Sequence, residues 1–373
     1  QPKSDYLIFL TLYISESVYS DLQSGVESTA MHENGLWGNA RLSGIKVGMI
    51  VRLALALLTT FGSVALAWTL LNPHDNAQAS GIVEVGTATY PWGLAQDGKH
   101  IWVAEPGCKL TPTCSVPMLG TIGEYSLTHP TFGRVDFPEP SGSNYSSPAF
   151  VALDGHGNIW FTEPTTNAIG ELNPTGSGIW NQWTTGISAG SAPFDLAFDN
   201  NGNIWFTETD GNNIGFFNTT TDTVVETPVP TLNSQPYGIS KATNGDIWFT
   251  ESNARKLGTF TPTTNGTITI SEHSIGLVRA HLLTFDQSGN VWYSEGHADA
   301  VGEYTPATKK SQDFSILSAL CPTPGSTATP TTCGSNTFVA GVGIDSTGMV
   351  WFDESNTGSV GFVNPTNGQV TVI

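Results

Sequence analysis

Short apolar runs of four to six residues, each bounded by Gly, Asn, Asp or Pro, recur along the chain from about residue 81 onward. That is a strand pattern. The clearest unit lies at 235–279. Pro236-Tyr237-Gly238-Ile239 opens a first strand, and Asn244-Gly245 is a turn pair suited to positive φ. Ile247-Trp248-Phe249-Thr250-Glu251 reads as the second strand, Leu257 to Phe260 as the third and Thr267 to Ile270 as the fourth. The second strand is apolar on both faces, so both faces are expected to be covered by neighbouring sheets.

The unit repeats. Its tryptophan recurs at Trp102, Trp160, Trp205, Trp248, Trp292 and Trp351, with spacings of 58, 45, 43, 44 and 59. A period near 44 is the size of a four-stranded propeller blade. Each second strand ends on a glutamate: Glu105, Glu163, Glu208, Glu251, Glu295 and Glu354. The third strands carry Ile122-Gly123, Ile169-Gly170, Ile214-Gly215, Leu257-Gly258, Val301-Gly302 and Val360-Gly361. The fold class predicted is all-β, a β-propeller with six visible repeats; a seventh blade would require a truncated chain. A preceding strand, Ile82 to Val85, is expected to pair with the last blade and close the ring. Gln369 to Ile373 offers that blade a fourth strand of its own.

Composition narrows the function classes. The chain has 373 residues, of which 39% are hydrophobic and only 12% charged, with a formal net charge of −19. An excess of acid excludes a nucleic-acid binder, which must neutralise phosphates. The two long intervals carry the cysteines, Cys108 with Cys114 and Cys321 with Cys333. Two local disulfides stapling polar loops are expected, which implies an oxidising compartment. Residues 53–71 form an uncharged apolar stretch preceded by Arg41, Lys46 and Arg52 and followed by an acidic domain. The charge asymmetry predicts an extracytoplasmic location, with 53–71 as a signal peptide or a membrane anchor. The organisation expected is an extension at 1–48 outside the fold, a signal or anchor at 49–79, and the propeller at 80–373. Only the N-terminal segment is expected to meet a membrane, and the propeller is expected to be a monomer.

A glutamate present in every blade defines the repeat and cannot mark one site. The positions at which the copies differ are more informative. Fourteen residues before each glutamate the chain holds Ala149, Phe194, Tyr237, His281 and Ala340, with Trp92 in the shorter first copy. Trp92, Phe194 and Tyr237 are candidate substrate-binding residues around a channel mouth. His281, Glu295 and His297 are candidates for acid–base work, and Glu295 with Glu354 for a divalent cation. Against each stands ordinary packing or a loop histidine. His273 is expected to be exposed on an outer strand. Asp154, Asp199, Asp286 and Asp345 precede Gly-containing turns and read as turn formers rather than calcium ligands.

The combination of Pro-x-Gly-Ile/Leu, Gly-Asn-Ile-Trp-Phe-Thr-Glu and Asn-x-Ile-Gly over about 81–373 resembles the virginiamycin B lyase family. The resemblance implies a seven-bladed propeller that opens the lactone of cyclic streptogramin B antibiotics by elimination, with magnesium. It implies histidines at the inner-strand position of two adjacent late blades and a glutamate fourteen residues after the second. By register the first histidine falls on His281, whose blade supplies Glu295. The second falls on Ala340, followed by Glu354. A second register makes His281 and Glu295 the base and metal pair, preceded by Tyr237. Three functions stand open: such a lyase, a non-catalytic propeller for a small-molecule or cell-surface ligand, and a gluconolactonase-type hydrolase with a calcium- or zinc-type cluster.

Overall fold

The computed structural model describes residues 63–67, 82–86, 91–107, 120–126, 134–140, 147–176, 178–296, 298–316, 338–354 and 359–373. The first two strands are β1 (Ser63–Ala67) and β2 (Ile82–Gly86). Six four-stranded antiparallel blades follow, each a meander in chain order. Blade one is β3 (Leu94–Gln96), β4 (His100–Glu105), β5 (Thr121–Ser126) and β6 (Arg134–Pro138). Blade two is β7 (Val151–Leu153), β8 (Ile159–Glu163), β9 (Ala168–Asn173) and β10 (Ile179–Trp183). Blade three is β11 (Pro193–Phe198), β12 (Ile204–Glu208), β13 (Asn213–Asn218) and β14 (Thr223–Pro228). Blade four is β15 (Pro236–Lys241), β16 (Ile247–Glu251), β17 (Lys256–Phe260) and β18 (Ser271–Ser274). Blade five is β19 (Ala280–Phe285), β20 (Val291–Glu295), β21 (Ala300–Thr305) and β22 (Lys310–Ser315). Blade six is β23 (Val339–Ile344), β24 (Val350–Glu354), β25 (Ser359–Asn364) and β26 (Gln369–Val372).

The six-bladed propeller matches the repeat count, and β26 is the last blade's own fourth strand. Two expectations are corrected. The strand at Ile82–Gly86 pairs with β1, not with the last blade. The fourth strand of blade four is Ser271–Ser274, where Ser271 to Ser274 oppose Thr259 to Lys256, and Thr267 to Ile270 only lead into it. Part of the apolar 53–71 segment is thus the strand β1, and among the described residues no helix is long and apolar enough to cross a membrane. The rest of 1–79, all four cysteines and His297 lie outside the described residues.

The core lies between blades. Trp205 and Phe216 of blade three pack with Ile239, Phe249 and Phe260 of blade four, and equivalent clusters join each consecutive pair. This is why the second strands are buried on both faces. The third-strand glycine has a steric cause. A Cβ at Gly258 would lie 2.0 Å from the Phe249 ring, and one at Gly215 2.1 Å from that of Phe206. The aspartate turns fasten the tryptophans: Asp199 Oδ1 accepts the N–H groups of Asn201 (2.8 Å) and Asn203 (3.0 Å), and its Oδ2 accepts the Trp205 indole (3.2 Å). Asp154, Asp286 and Asp345 do the same for Trp160, Trp292 and Trp351. Their oxygens are thereby committed as turn formers.

In blades two to five a hydroxyl next to the glutamate staples one blade to the next. Thr207 accepts the Asp195 N–H (3.1 Å) and donates to the Tyr237 carbonyl (2.6 Å). Thr250 accepts from Gly238 (2.9 Å) and donates to the His281 carbonyl (2.6 Å). Thr162 and Ser294 likewise donate to the carbonyls of Phe194 and Ala340. The residues held are the inner-strand positions at which the copies differ.

Candidate functional site

The inner strands converge on a band of aromatic rings. Trp92 meets Phe150 (centroids 6.1 Å apart) and Phe194 (5.5 Å), and Phe150 meets Phe194 at 5.2 Å. Phe194 meets Tyr237 at 4.3 Å, Tyr237 meets His281 at 5.0 Å, and His281 meets Phe338 at 5.2 Å. The band therefore touches all six blades or their inner-strand entries. Trp92, Tyr237 and Phe338 are half-buried and Phe150, Phe194 and His281 are buried. The structure thus joins Trp92, Phe194, Tyr237 and His281, as the register predicts, and adds two rings. Phe150 stands one residue beyond Ala149, so a fixed count from the glutamate misses it. Phe338 precedes its strand and falls outside any strand-based count.

His281 is fitted by two glycines. A Cβ at Gly296 would lie 2.2 Å from its Nδ1, and one at Gly238 2.5 Å from its carbonyl oxygen. Gly296 replaces the Pro164, Thr209 and Ser252 that follow the glutamate in blades two, three and four. That local change was a legible companion signal to His281.

The glutamates point elsewhere. Glu295 is fully buried, and its Oε1 lies 2.6 Å from the position a Cβ on Gly302 would take, so it faces β21 inside its own blade. Burial, and then the Asp313 carboxylate, push its carboxyl up to about 9, so it is protonated at neutral pH. Glu208 and Glu251 are raised to about 8 for the same first reason, with Glu226 and Glu272 as their acidic neighbours. Glu354 Oε1 accepts the Phe338 N–H at 2.7 Å, and the Phe338 ring in turn meets His281. Among the described residues no three His, Cys, Asp or Glu side chains gather as metal ligands. Glu295 and Glu354, the pair expected to hold magnesium, stand in neighbouring blades, with Glu295 facing β21 and Glu354 Oε1 accepting from Phe338.

His273 is half-buried, not exposed, because its ring stacks on Trp248 at 5.0 Å and meets Tyr304 at 5.5 Å. Asp195, beside Phe194, accepts the N–H of Ile239 from the next blade (2.9 Å) and is raised to about 7 by burial. It was not singled out in sequence because only the tertiary fold buries it. Trp92, Tyr237 and Phe338 are the rings of the band left in part to solvent, beside one buried imidazole, whereas Phe150 and Phe194 belong to the core between blades.

Comparison with known proteins agrees with this architecture. The virginiamycin B lyase family matches residues 129–332. Virginiamycin B lyase from Staphylococcus aureus, in its selenomethionine form, is 22% identical, with a TM-score of 0.61 over 76% of this chain and 83% of that one. A catalytically inactive variant from the same organism, solved with quinupristin, is 21% identical, with a TM-score of 0.61 over 84% and 92%. A streptogramin B lyase is 20% identical, with a TM-score of 0.59 over 76% and 82%. No curated protein matches the chain.

Proposed function

Because the chain belongs to the virginiamycin B lyase family, we propose that it is a ligand-binding propeller whose channel mouth receives the apolar face of a cyclic small molecule. The observation that carries this reading is the unbroken aromatic band from Trp92 to Phe338. Rings packed edge-on or tilted against one another, each on a different blade or its entry, are held in place before a ligand arrives, so little ordering entropy opposes binding. An extracytoplasmic location accords with the acidic domain that follows a basic-flanked apolar segment. Quinupristin, the ligand of the S. aureus relative, is the natural probe. Titration should quench tryptophan fluorescence saturably, and Tyr237→Ala with Phe338→Ala should abolish the quench. A flat titration of the unsubstituted protein would overturn this reading.

A second reading is favoured by His281 alone. In an elimination, its imidazole would take the proton α to an acyl group, the ester C–O bond on the β carbon would break, the carboxylate would leave, and a Cα–Cβ double bond would form. Ala340 stands where the resemblance places a second histidine, so His281 acts without that partner. Incubation of quinupristin with the protein, with and without magnesium, followed by mass spectrometry tests this. An elimination leaves the mass of the opened product unchanged but shifts its retention, whereas hydrolysis adds one water. No opened product, or product that persists in His281→Ala, removes the lyase reading and leaves the binding reading intact.

A further inference from the structure

The turn after the second strand places a residue in the left-handed region in four blades: Asn167 (φ 58°), Asn212 (φ 56°), Arg255 (φ 58°) and Asp299 (φ 52°). Asparagine and aspartate tolerate that conformation; arginine gains nothing from it. The asparagines also latch the adjoining loop. Asn167 Oδ1 accepts the Ser191 N–H (2.9 Å), and Asn212 Oδ1 accepts that of Ser234 (2.7 Å). The Arg255 side chain has no acceptor oxygen and forgoes both advantages. An outlier of this kind in a repeat points to a role outside folding.

Its surroundings indicate the role. Arg255 is exposed, and no ion pair engages it among the described residues, whereas its neighbour Lys256 is held by Glu272 at 2.7 Å. The Arg255 carbonyl accepts the Ile275 N–H (3.3 Å), which sets this turn against the connection leading into His281. That connection carries Leu277, 82% exposed, and Arg279, also exposed and also without an ion pair among the described residues. On the other side the Ala254 N–H donates to the Ser234 carbonyl (3.3 Å), two residues from Leu232, which is 82% exposed. Two bare leucines and two guanidinium groups, without an ion pair among the described residues, therefore stand on this turn and the two loops bonded to it, one of which leads into His281, in a chain with 13 Lys and Arg against 32 Asp and Glu. Asp210 and Asp299 occupy the corresponding turns of blades three and five.

Resting on the reading of the mouth as a ligand site, we propose that Arg255 and Arg279 form an anion-binding subsite at its rim. The ligand class is an amphipathic molecule whose apolar body lies on Leu232, Leu277 and the aromatic band. Its carboxylate, or a group of like charge and geometry, is gripped by the two guanidinium groups. Planar guanidinium forks suit such oxygens and hold them through charge-assisted hydrogen bonds.

The test compares anilinonaphthalene sulfonate with N-phenylnaphthylamine, which carries similar rings without the charge, by fluorescence titration at low salt. The sulfonate should bind about tenfold more tightly. Arg255→Asn with Arg279→Gln should erase that preference and leave the uncharged probe unaffected. Arg255→Asn alone should raise the melting temperature while weakening the sulfonate, a pairing that a merely structural arginine would not produce. Equal affinity for both probes, or a preference that survives the double substitution, overturns the subsite alone. Binding of neither probe overturns the mouth reading and the subsite with it.

Discussion

Glu295→Gln isolates the cost of a buried acid that the repeat places at the end of every second strand. Glu295 is fully buried beside Asp313, and its carboxyl is raised from 4.5 to about 9. The folded state thus binds a proton that the unfolded chain releases. The stabilisation from that proton is fully present below pH 4.5 and is lost as pH rises toward 9. From 4.5 to pH 7, at about 1.4 kcal/mol per pH unit, the loss is about 3 kcal/mol, an upper bound if the unfolded chain stays compact. Glutamine keeps the shape of the protonated carboxyl, can donate to Asp313, and does not titrate. The variant should match the natural protein near pH 4.5 and exceed it at pH 8 by roughly 5–10 °C in melting temperature, on the usual conversion for domains of this size. Thermal unfolding followed by circular dichroism at pH 5, 7 and 8 reads this directly. Asp313→Asn should shrink the pH dependence only in part, because burial is the larger cause that raises Glu295 and the Asp313 charge the second. A melting difference that is the same at pH 5 and pH 8 would refute the reasoning.

Two further substitutions test how the blades are joined. Thr250→Val deprives the Gly238 N–H and the His281 carbonyl of their shared partner, and should lower the urea-unfolding free energy by about 2–3 kcal/mol, with Thr250→Ser largely restoring it. Trp205→Ala empties a fully buried site between blades three and four and should cost about 3–5 kcal/mol by the same measurement.

Much of the fold was legible because a blade is a local object. Its four strands are consecutive, its turns carry Asn-Gly and Asp-x-x-Gly signals, and its Trp and Gly occupy fixed offsets dictated by packing against the same neighbours each time. The misreadings arose where no such local rule applies. Thr267 to Ile270 has the better alternation, yet the chain pairs Ser271–Ser274 because register on β17 decides the partner. His273 looked exposed in an outer strand, but Trp248 and Tyr304 close over it. Ile82–Gly86 carries no mark of which strand it will meet.

The candidate site divides along the same line. His281, Tyr237, Phe194 and Trp92 could be found in the chain itself, since they vary at a position the repeat holds constant. That Phe150 and Phe338 complete the band, that Glu295 turns away into its blade, and that the Arg255 turn meets the connection carrying Leu277 and Arg279 were decided only by the tertiary structure. Strand period and turn chemistry act over a few residues and are written in the order of amino acids. Side-chain direction, burial of a carboxyl and the meeting of loops depend on how blades are set against one another, and no local pattern encodes that.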